Sequence, residues 1–464
     1  MKITRISVRS RKISADTYTP IGVYLKLRDA YPQCLLLECA DYSDRSDAFS
    51  YICVKPFAGI EVTKTKTKTY VLLESSEFNT VDEFPPALFD SFLQSFIIDS
   101  TDEGNGNAGF FGFTAYDSIN LFDNVNIDTS NAVFPLIKYD FYQVVIEFNH
   151  FNNTLTLYEF LAPNVDEISS KLLSLLSNKN TPTFPFQAPS EEYSNMDDDY
   201  YLEMVEKGKL HCARGNVFQI VLSRQFSKKY SGDDFNVYRA LRSINPSPYL
   251  FYFDYMNFRI FGSSPEAHLK VTNGVATINP IAGTTARSGD AQLDKIITDE
   301  LLKNPKENSE HCMLVDLARN DLSRHAVDVT VDKFREVQSY SHVIHLVSCV
   351  KGKLKPNTKP YSLLASTFPA GTLSGAPKHK AIQLIGMIEP TPRGIYGGAV
   401  GFIGVNGDIN HAIVIRSFIS SQGTLHYQAG AGVVIGSSPK GELAEVNSKI
   451  SALRRAIEYA EKIV

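Results

Sequence analysis

Through the first 177 residues, short and nearly continuous apolar runs are separated by polar stretches. Cys34-Leu-Leu-Leu-Glu-Cys39, Tyr70-Val-Leu-Leu-Glu74 and Asp140-Phe-Tyr-Gln-Val-Val-Ile-Glu-Phe148 have the length and composition of β-strands. Lys64-Thr-Lys-Thr-Lys-Thr69 alternates strictly, which predicts an exposed strand face whose lysines discourage edge-to-edge pairing. From about Ser177 to Met196 three prolines interrupt any apolar period, and the segment reads as an extended connector.

The texture then changes. Asp197 to Arg214 carries Tyr201, Met204, Val205 and Leu210 near helical spacing, with Gly215 placed as a stop. Val217–Arg224 reads as a strand, and Tyr249–Asp254 with Phe258–Gly262 as a hairpin. Helices are predicted over 289–302 and 305–320, the second with Asn304 as N-cap and Pro305 at the first helical position. Strands follow near 397–405, 410–419 and 424–435, and a long helix begins after Ser438-Pro439. This order predicts an α+β fold of large antiparallel β-sheets packed as a sandwich with flanking helices. It divides into an N-terminal region (1–177), a connector (178–195) and a larger region (196–464).

Length and composition narrow the function classes. A chain of 464 residues, 43% apolar and 21% charged, has the balance of a globular protein with more than one core's worth of residues. A net charge of −5 gives no clustered basic surface for nucleic acid. No apolar run suits a signal peptide or a membrane span. The six cysteines form no Cys-x-x-Cys pair, which suits reduced thiols in the cytoplasm. Tryptophan is absent altogether.

Candidate chemistry lies in the second region. Glu307 and Glu310 are three apart on a predicted helix, and Glu442 and Glu445 repeat that spacing on another, so each pair shares a helix face. Four such carboxylates could converge on a hard divalent cation. Equally, Glu445 could pair with Lys449 one turn on, and Glu307 could complete a cap with Asn304. Gln428-Ala-Gly-Ala-Gly-Val433 could expose backbone N–H groups to an anion or could simply allow close sheet packing. Arg416, within an apolar strand pattern, needs an anionic partner, either a structural carboxylate or a substrate's.

Several ordered motifs together resemble the chorismate-utilising enzymes, which include anthranilate, aminodeoxychorismate, isochorismate and salicylate synthases. They are Gly215-Asn-Val-Phe-Gln-Ile-Val-Leu-Ser-Arg224, Ser263-Ser-Pro-Glu266, Pro280-Ile-Ala-Gly-Thr284, Glu310-His-Cys-Met-Leu-Val-Asp-Leu-Ala-Arg-Asn-Asp321, Ser341-His-Val-Ile-His-Leu-Val-Ser348, Pro369-Ala-Gly-Thr-Leu-Ser-Gly-Ala-Pro-Lys378 and Arg393-Gly-Ile-Tyr-Gly-Gly398. Arg416, Gln428–Gly432 and the closing glutamates complete the set. The resemblance implies that Glu310 and Glu445 ligate Mg²⁺, with Glu307 and Glu442 near or acting through water. It implies that Gly283, Thr284, Tyr396, Arg416, Gly430, Ala431 and Gly432 bind substrate. Glu266 matches the family's general acid, and His345 and Thr372 match residues implicated in its chemistry, although His345 could equally be a hydrogen-bonded core histidine.

Within the family, water-adding members carry a lysine where this chain has Gln219, and aminodeoxychorismate synthases commonly carry one where it has Ala282. Losing both leaves ammonia as nucleophile, the anthranilate pattern, with aminodeoxychorismate synthase as the alternative and a non-catalytic tryptophan-sensing protein as a remote one. No Gly-x-Cys-x-Gly turn supplies a glutaminase, so the resemblance implies a separate glutamine amidotransferase subunit as the ammonia donor. Cys39, Pro248, Tyr249 and Leu250 match parts of a site for inhibitory tryptophan, with cysteine where serine is usual and leucine where methionine is common.

Overall fold

A computed structural model describes residues 2–39, 48–80, 86–99, 107–129, 133–178, 180–339 and 343–463. A large antiparallel sheet organises them. Gln219–Lys229 pairs with Thr424–Val433, and the order continues through Ser417–Ser421, Phe258–Ser264, Tyr249–Asp254, Leu35–Cys39, Phe49–Val62 and Ile137–Asn149. At Ile137–Asn149 the sheet divides. The half from Val144 onward pairs with Thr154–Leu161, which pairs with Thr4–Ser14. The half before Gln143 pairs with Gly109–Thr114, and that branch runs on through Ala399–Gly404, Ile409–Ile413, Ala267–Thr272, Val275–Ile278 and Val343–Leu354.

The continuous apolar runs are explained by burial on both faces. Leu36, Ile52, Val54, Val144, Ile146, Leu250 and Tyr252 enter one core, together with residues of helices Pro20–Leu27, Ser169–Ser177, Asp198–Ala213, Phe235–Ile244 and Pro439–Ala460. Their neighbours Leu35, Leu37, Cys53, Val145, Phe251 and Phe253 point the other way, into a core shared with Phe110, Val400, Leu269 and Ile409 of the second branch. Period-two side-chain alternation therefore serves a helix-on-sheet layer and a sheet-on-sheet layer at once. Residues on both sides of the connector contribute to both cores. The connector itself adds two short pairings, Phe186–Gln187 to Ser231–Gly232 and Tyr193–Ser194 to Gln219–Lys229.

Local signals hold at most helix ends. Asp197 caps Asp198–Ala213 by accepting from Tyr200 N–H, and Gly215 follows at φ 73°. Asn304 accepts from Glu307 N–H at the start of Pro305–Ser323. In Lys66–Val71, Thr67 and Thr69 are buried while Lys66 and Lys68 face solvent. The predicted strand 410–419 is corrected to two strands, Ile409–Ile413 and Ser417–Ser421. The first pairs with Ala267–Thr272 and the second with Phe258–Ser264, so the chain crosses between branches there, and Arg416 turns it at φ 50°. Gly112 marks a close approach of strands, because a Cβ there would stand 2.0 Å from the Lys138 carbonyl oxygen. No helix among the described residues is long and apolar enough to cross a membrane.

Leu36 is fully buried in the helix-on-sheet core. Leu36→Ala is expected to lower unfolding stability by about 2–5 kcal/mol, measured by urea denaturation. A loss under about 1 kcal/mol would contradict a closely packed layer at that position.

Candidate active site

The crossing between branches brings the chemistry-bearing residues together. Glu266 lies in the turn between Phe258–Ser264 and Ala267–Thr272, one step along the sheet from the Arg416 turn. Thr372, in the one-turn helix Gly371–Ser374, donates its hydroxyl to Glu266 Oε1 at 2.9 Å. The carboxyl is buried, and burial pushes its pKa up to about 7 against the pull of the Thr372 hydrogen bond and the Lys449 charge. Glu266 therefore holds its proton to far higher pH than an ordinary glutamate does.

His345, on Val343–Leu354, pairs in register with Thr284, and its ring donates to the Gly283 carbonyl. Burial and the nearby charge of Arg416 push its pKa down to about 4, so the ring is neutral. Gly283 sits at φ 75° at a register shift, and a Cβ there would lie 3.3 Å from Glu307 Oε2. His345 and Glu307 thus flank the same strand.

Arg416 donates to the Lys449 carbonyl at 3.3 Å and forms no ion pair among the described residues. Burial lowers its pKa, while Tyr396 and Glu445 act in the opposite direction. Lys449 reaches back to Gly430 O at 2.8 Å and to Glu445 at 2.7 Å. The Gly430 N–H is directed at Tyr396, whose phenol burial pushes up to about 12. The backbone of Gly430 is thus engaged by Tyr396 and Lys449. Gly430 also allows close strand packing, since its Cβ would stand 2.8 Å from Leu222 O.

The remaining glutamates frame the site. Gln219 donates to Glu310 Oε1 at 2.6 Å, and its own Oε1 is buried with no hydrogen-bond partner among the described residues. A Cβ on Gly432 would stand 2.4 Å from Gln219 Nε2 and 3.6 Å from Glu310 Oε1, so the absent side chain keeps space beside both. Glu442 is buried in the first turn of Pro439–Ala460, and Glu445 makes the one-turn pair with Lys449 that its spacing permits. Among the described residues no three His, Cys, Asp or Glu side chains form a ready metal cluster. The donors are nonetheless all hard oxygens, as a magnesium site requires.

Sequence reasoning missed the scaffold beneath these groups. Arg393 and Glu389 form a fully buried ion pair at 2.6 Å. Arg393 also donates to Leu373 O and Val221 O, and Glu389 accepts from the backbone and hydroxyl of Ser223. Two opposite charges four residues apart in the apolar stretch Ile385–Tyr396 were the available signal. Lys449 entered only as a one-turn partner for Glu445, and its hydrogen bond to Gly430 and the effect of its charge on Glu266 come from the fold.

The suggested regulatory residues divide. Cys39 and Tyr249 are direct register partners and pack against the sheet-on-sheet core, with Asn410 Nδ2 3.9 Å from the Cys39 sulfur. Burial pushes the Cys39 thiol up to about 12. Leu250 points to the opposite face, into the helix-on-sheet core. Pro248 is half-buried just before this strand.

Residues 32–455 match the family model of the chorismate binding enzyme. The chain is 34% identical to anthranilate synthase component 1 of Aquifex aeolicus over 97% of this chain and 94% of that protein. It is 35% identical to anthranilate synthase component 1 of Geobacillus stearothermophilus over 98% and 94%. The fold is similar to the crystal structure of anthranilate synthase component I from Streptococcus pneumoniae, with a TM-score of 0.75 and 31% identity, covering 88% of this chain and 92% of that one.

The raised pKa of Glu266 fixes the sign of a pH effect. The unfolded chain releases this proton near the ordinary value of 4.5 and the folded chain only near 7, so the carboxyl costs stability as pH rises between them. Glu266→Gln is expected to match the parent in Tm below about pH 4.5. Its unfolding free energy should exceed the parent's increasingly up to about pH 7, by about 3 kcal/mol, with a correspondingly higher Tm. Equal melting at pH 8 would show the carboxyl to be no burden.

Proposed function

The chain belongs to the chorismate-binding enzyme family, and we propose that it is the large subunit of an anthranilate synthase, converting chorismate and ammonia to anthranilate and pyruvate. The observation that carries this reading is the buried Glu266 carboxyl, held by the Thr372 hydroxyl, in the same small region as Arg416, which forms no ion pair among the described residues. A dianionic substrate with a poor leaving group needs both.

In this reading Arg416 and Lys449 attract the carboxylates, and Tyr396 fixes their orientation through its hydroxyl. Ammonia adds at C2 of the ring. Glu266 gives its proton to the C4 hydroxyl, which leaves as water, and Thr372 holds the acid in place. The resulting 2-amino-2-deoxyisochorismate loses its side chain as pyruvate, and the ring becomes aromatic. A neutral His345 beside Gly283 and Arg416 is available to accept a proton without first losing one. Glu310 and Glu445 would hold Mg²⁺, with Glu307 and Glu442 beside it or acting through water. When bound, the ion offsets negative charge on the ring carboxylate. Gln219, beside Glu310, has no basic group with which to activate water.

Ammonia would come from a glutamine amidotransferase subunit, as the component naming of the relatives suggests. All six cysteines are free, in keeping with a cytoplasmic enzyme. Cys39 with Tyr249 would form the core of a tryptophan-binding inhibitory site.

Purified protein with chorismate, Mg²⁺ and an ammonium salt is expected to yield anthranilate and pyruvate together, and to lose both with a chelator or in Glu310→Ala. Glu266→Gln should lower kcat by about 10²-fold or more. At constant free ammonia, kcat/KM should fall as pH rises past about 7, where Glu266 loses its proton. Consumption of chorismate without either product, followed by 4-aminobenzoate on adding a separate lyase, would replace this reading with the aminodeoxychorismate one.

A further inference from the structure

The N-terminal region reaches the site at one point that the mechanism above does not use. Tyr116–Leu121 is a short 3₁₀ turn following the strand Gly109–Thr114. Its second residue, Asp117, is 1% exposed. Asp117 Oδ2 accepts the backbone N–H of Gly394 at 2.9 Å, and the Asp117 N–H donates back to Gly394 O at 3.3 Å. Asp117 Oδ1 is buried with no hydrogen-bond partner among the described residues, and the Arg393 backbone N–H also acts on the carboxyl. The adjoining Tyr116 ring lies 4.6 Å from the Arg393 guanidinium. Gly394 itself is held at φ 61°. Two residues later Tyr396 turns its phenol toward Gly430 N–H beside Arg416.

We propose that Asp117 is a positioning residue for substrate binding: its clasp on Gly394 sets the Arg393–Gly397 turn so that Tyr396 presents its hydroxyl to a substrate carboxylate. The inference rests on the reading of Tyr396 as a substrate-binding residue. A reciprocal pair of hydrogen bonds to one glycine constrains both its peptide planes, which a single contact would not do. That glycine's left-handed backbone sets the exit direction of the chain toward Tyr396. A buried acidic side chain is costly to retain, and burial pushes the Asp117 carboxyl up to about 7; its bond from Gly394 N–H, which completes the backbone bond to Gly394 O, gives it a purpose. The Arg393 side chain is held independently by Glu389, so the clasp adjusts the turn rather than anchoring the whole segment.

The test is a double-mutant cycle on steady-state kinetics with chorismate, with Tm recorded for each variant. Asp117→Ala is expected to raise KM about tenfold while leaving kcat within about twofold. Asp117→Asn, which keeps an acceptor for Gly394 N–H, should restore most of the KM. In a Tyr396→Phe background, which should itself raise KM, Asp117→Ala should add little. If its effect persists in full there, Asp117 acts on general stability and the proposal is overturned. If Tyr396→Phe leaves both constants unchanged, the role given to Tyr396 fails and the proposal falls with it. If Asp117→Asn is as impaired as Asp117→Ala at equal Tm, the acceptor bond is not what matters and the proposal is likewise overturned.

Discussion

The buried ion pair between Arg393 and Glu389 is the interaction on which the site's shape depends. Its members sit on opposite sides of the connection leaving helix Lys378–Ile388, and neither reaches solvent. An isolated pair of charges this deep would be costly, because desolvation consumes most of the attraction. Here the remaining hydrogen-bonding capacity is well used. Arg393 is bonded to Leu373 O and Val221 O and stacked on Tyr116, and Glu389 receives two bonds from Ser223. The pair thereby joins the turn bearing Tyr396, the short helix bearing Thr372 and the strand that begins with Gln219. Removing either partner would strand the other charge in a low-dielectric interior, a loss of about 3–5 kcal/mol in comparable cases.

Around that anchor, one low-dielectric environment shifts two groups in opposite directions. Burial raises the pKa of the Glu266 carboxyl and lowers that of the His345 imidazole, because in each case it disfavours the charged form. The histidine, near 4, is neutral at neutral pH, and the carboxyl, near 7, keeps its proton much further up the pH scale than usual. Near them stand the cations Arg416 and Lys449, the latter paired with Glu445, while Glu307 lies beside Gly283. This arrangement suits a dianionic substrate held between cationic side chains and a carboxylate-bound metal ion. It arises from where the sheet divides: a chain crossing between branches must turn, and turns at Glu266 and Arg416 place polar side chains at the seam between two apolar cores.

Much of the fold was legible because its signals are local. The cap at Asn304, the stop at Gly215 and Pro439 after Ser438 all depend on a few neighbouring residues, and each stands where the pattern put it. Apolar runs such as Leu35–Leu37 announced strands buried on both faces. Their partners were not legible, since Leu35–Cys39 lies between Phe49–Val62 and Tyr249–Asp254, strands far apart in the chain. The strand through Arg416 was misread for a related reason. Apolar residues continue across 411–419, but the hydrogen-bond partner changes at residue 416, and a change of partner leaves no mark in hydrophobic periodicity.

The site divides along the same line. Spacing identified the glutamate pairs because three residues on a helix define a shared face, and it correctly left open that Glu445 pairs with Lys449. It could not decide what else that lysine touches. Lys449 Nζ lies between a carboxylate one turn away and the carbonyl of Gly430 on another strand, and its charge is felt at Glu266, 183 positions earlier. A residue that looks like half of an ordinary surface pair in the sequence is, in the fold, where the backbone of the glycine strand, the proposed acid and a proposed metal ligand meet. The same reasoning applies to Gln219. As an isolated letter it excludes a base, but its amide bond to Glu310 makes it a wall of the site. Residue type sets what each group can do chemically, and long-range pairing sets which groups do it together.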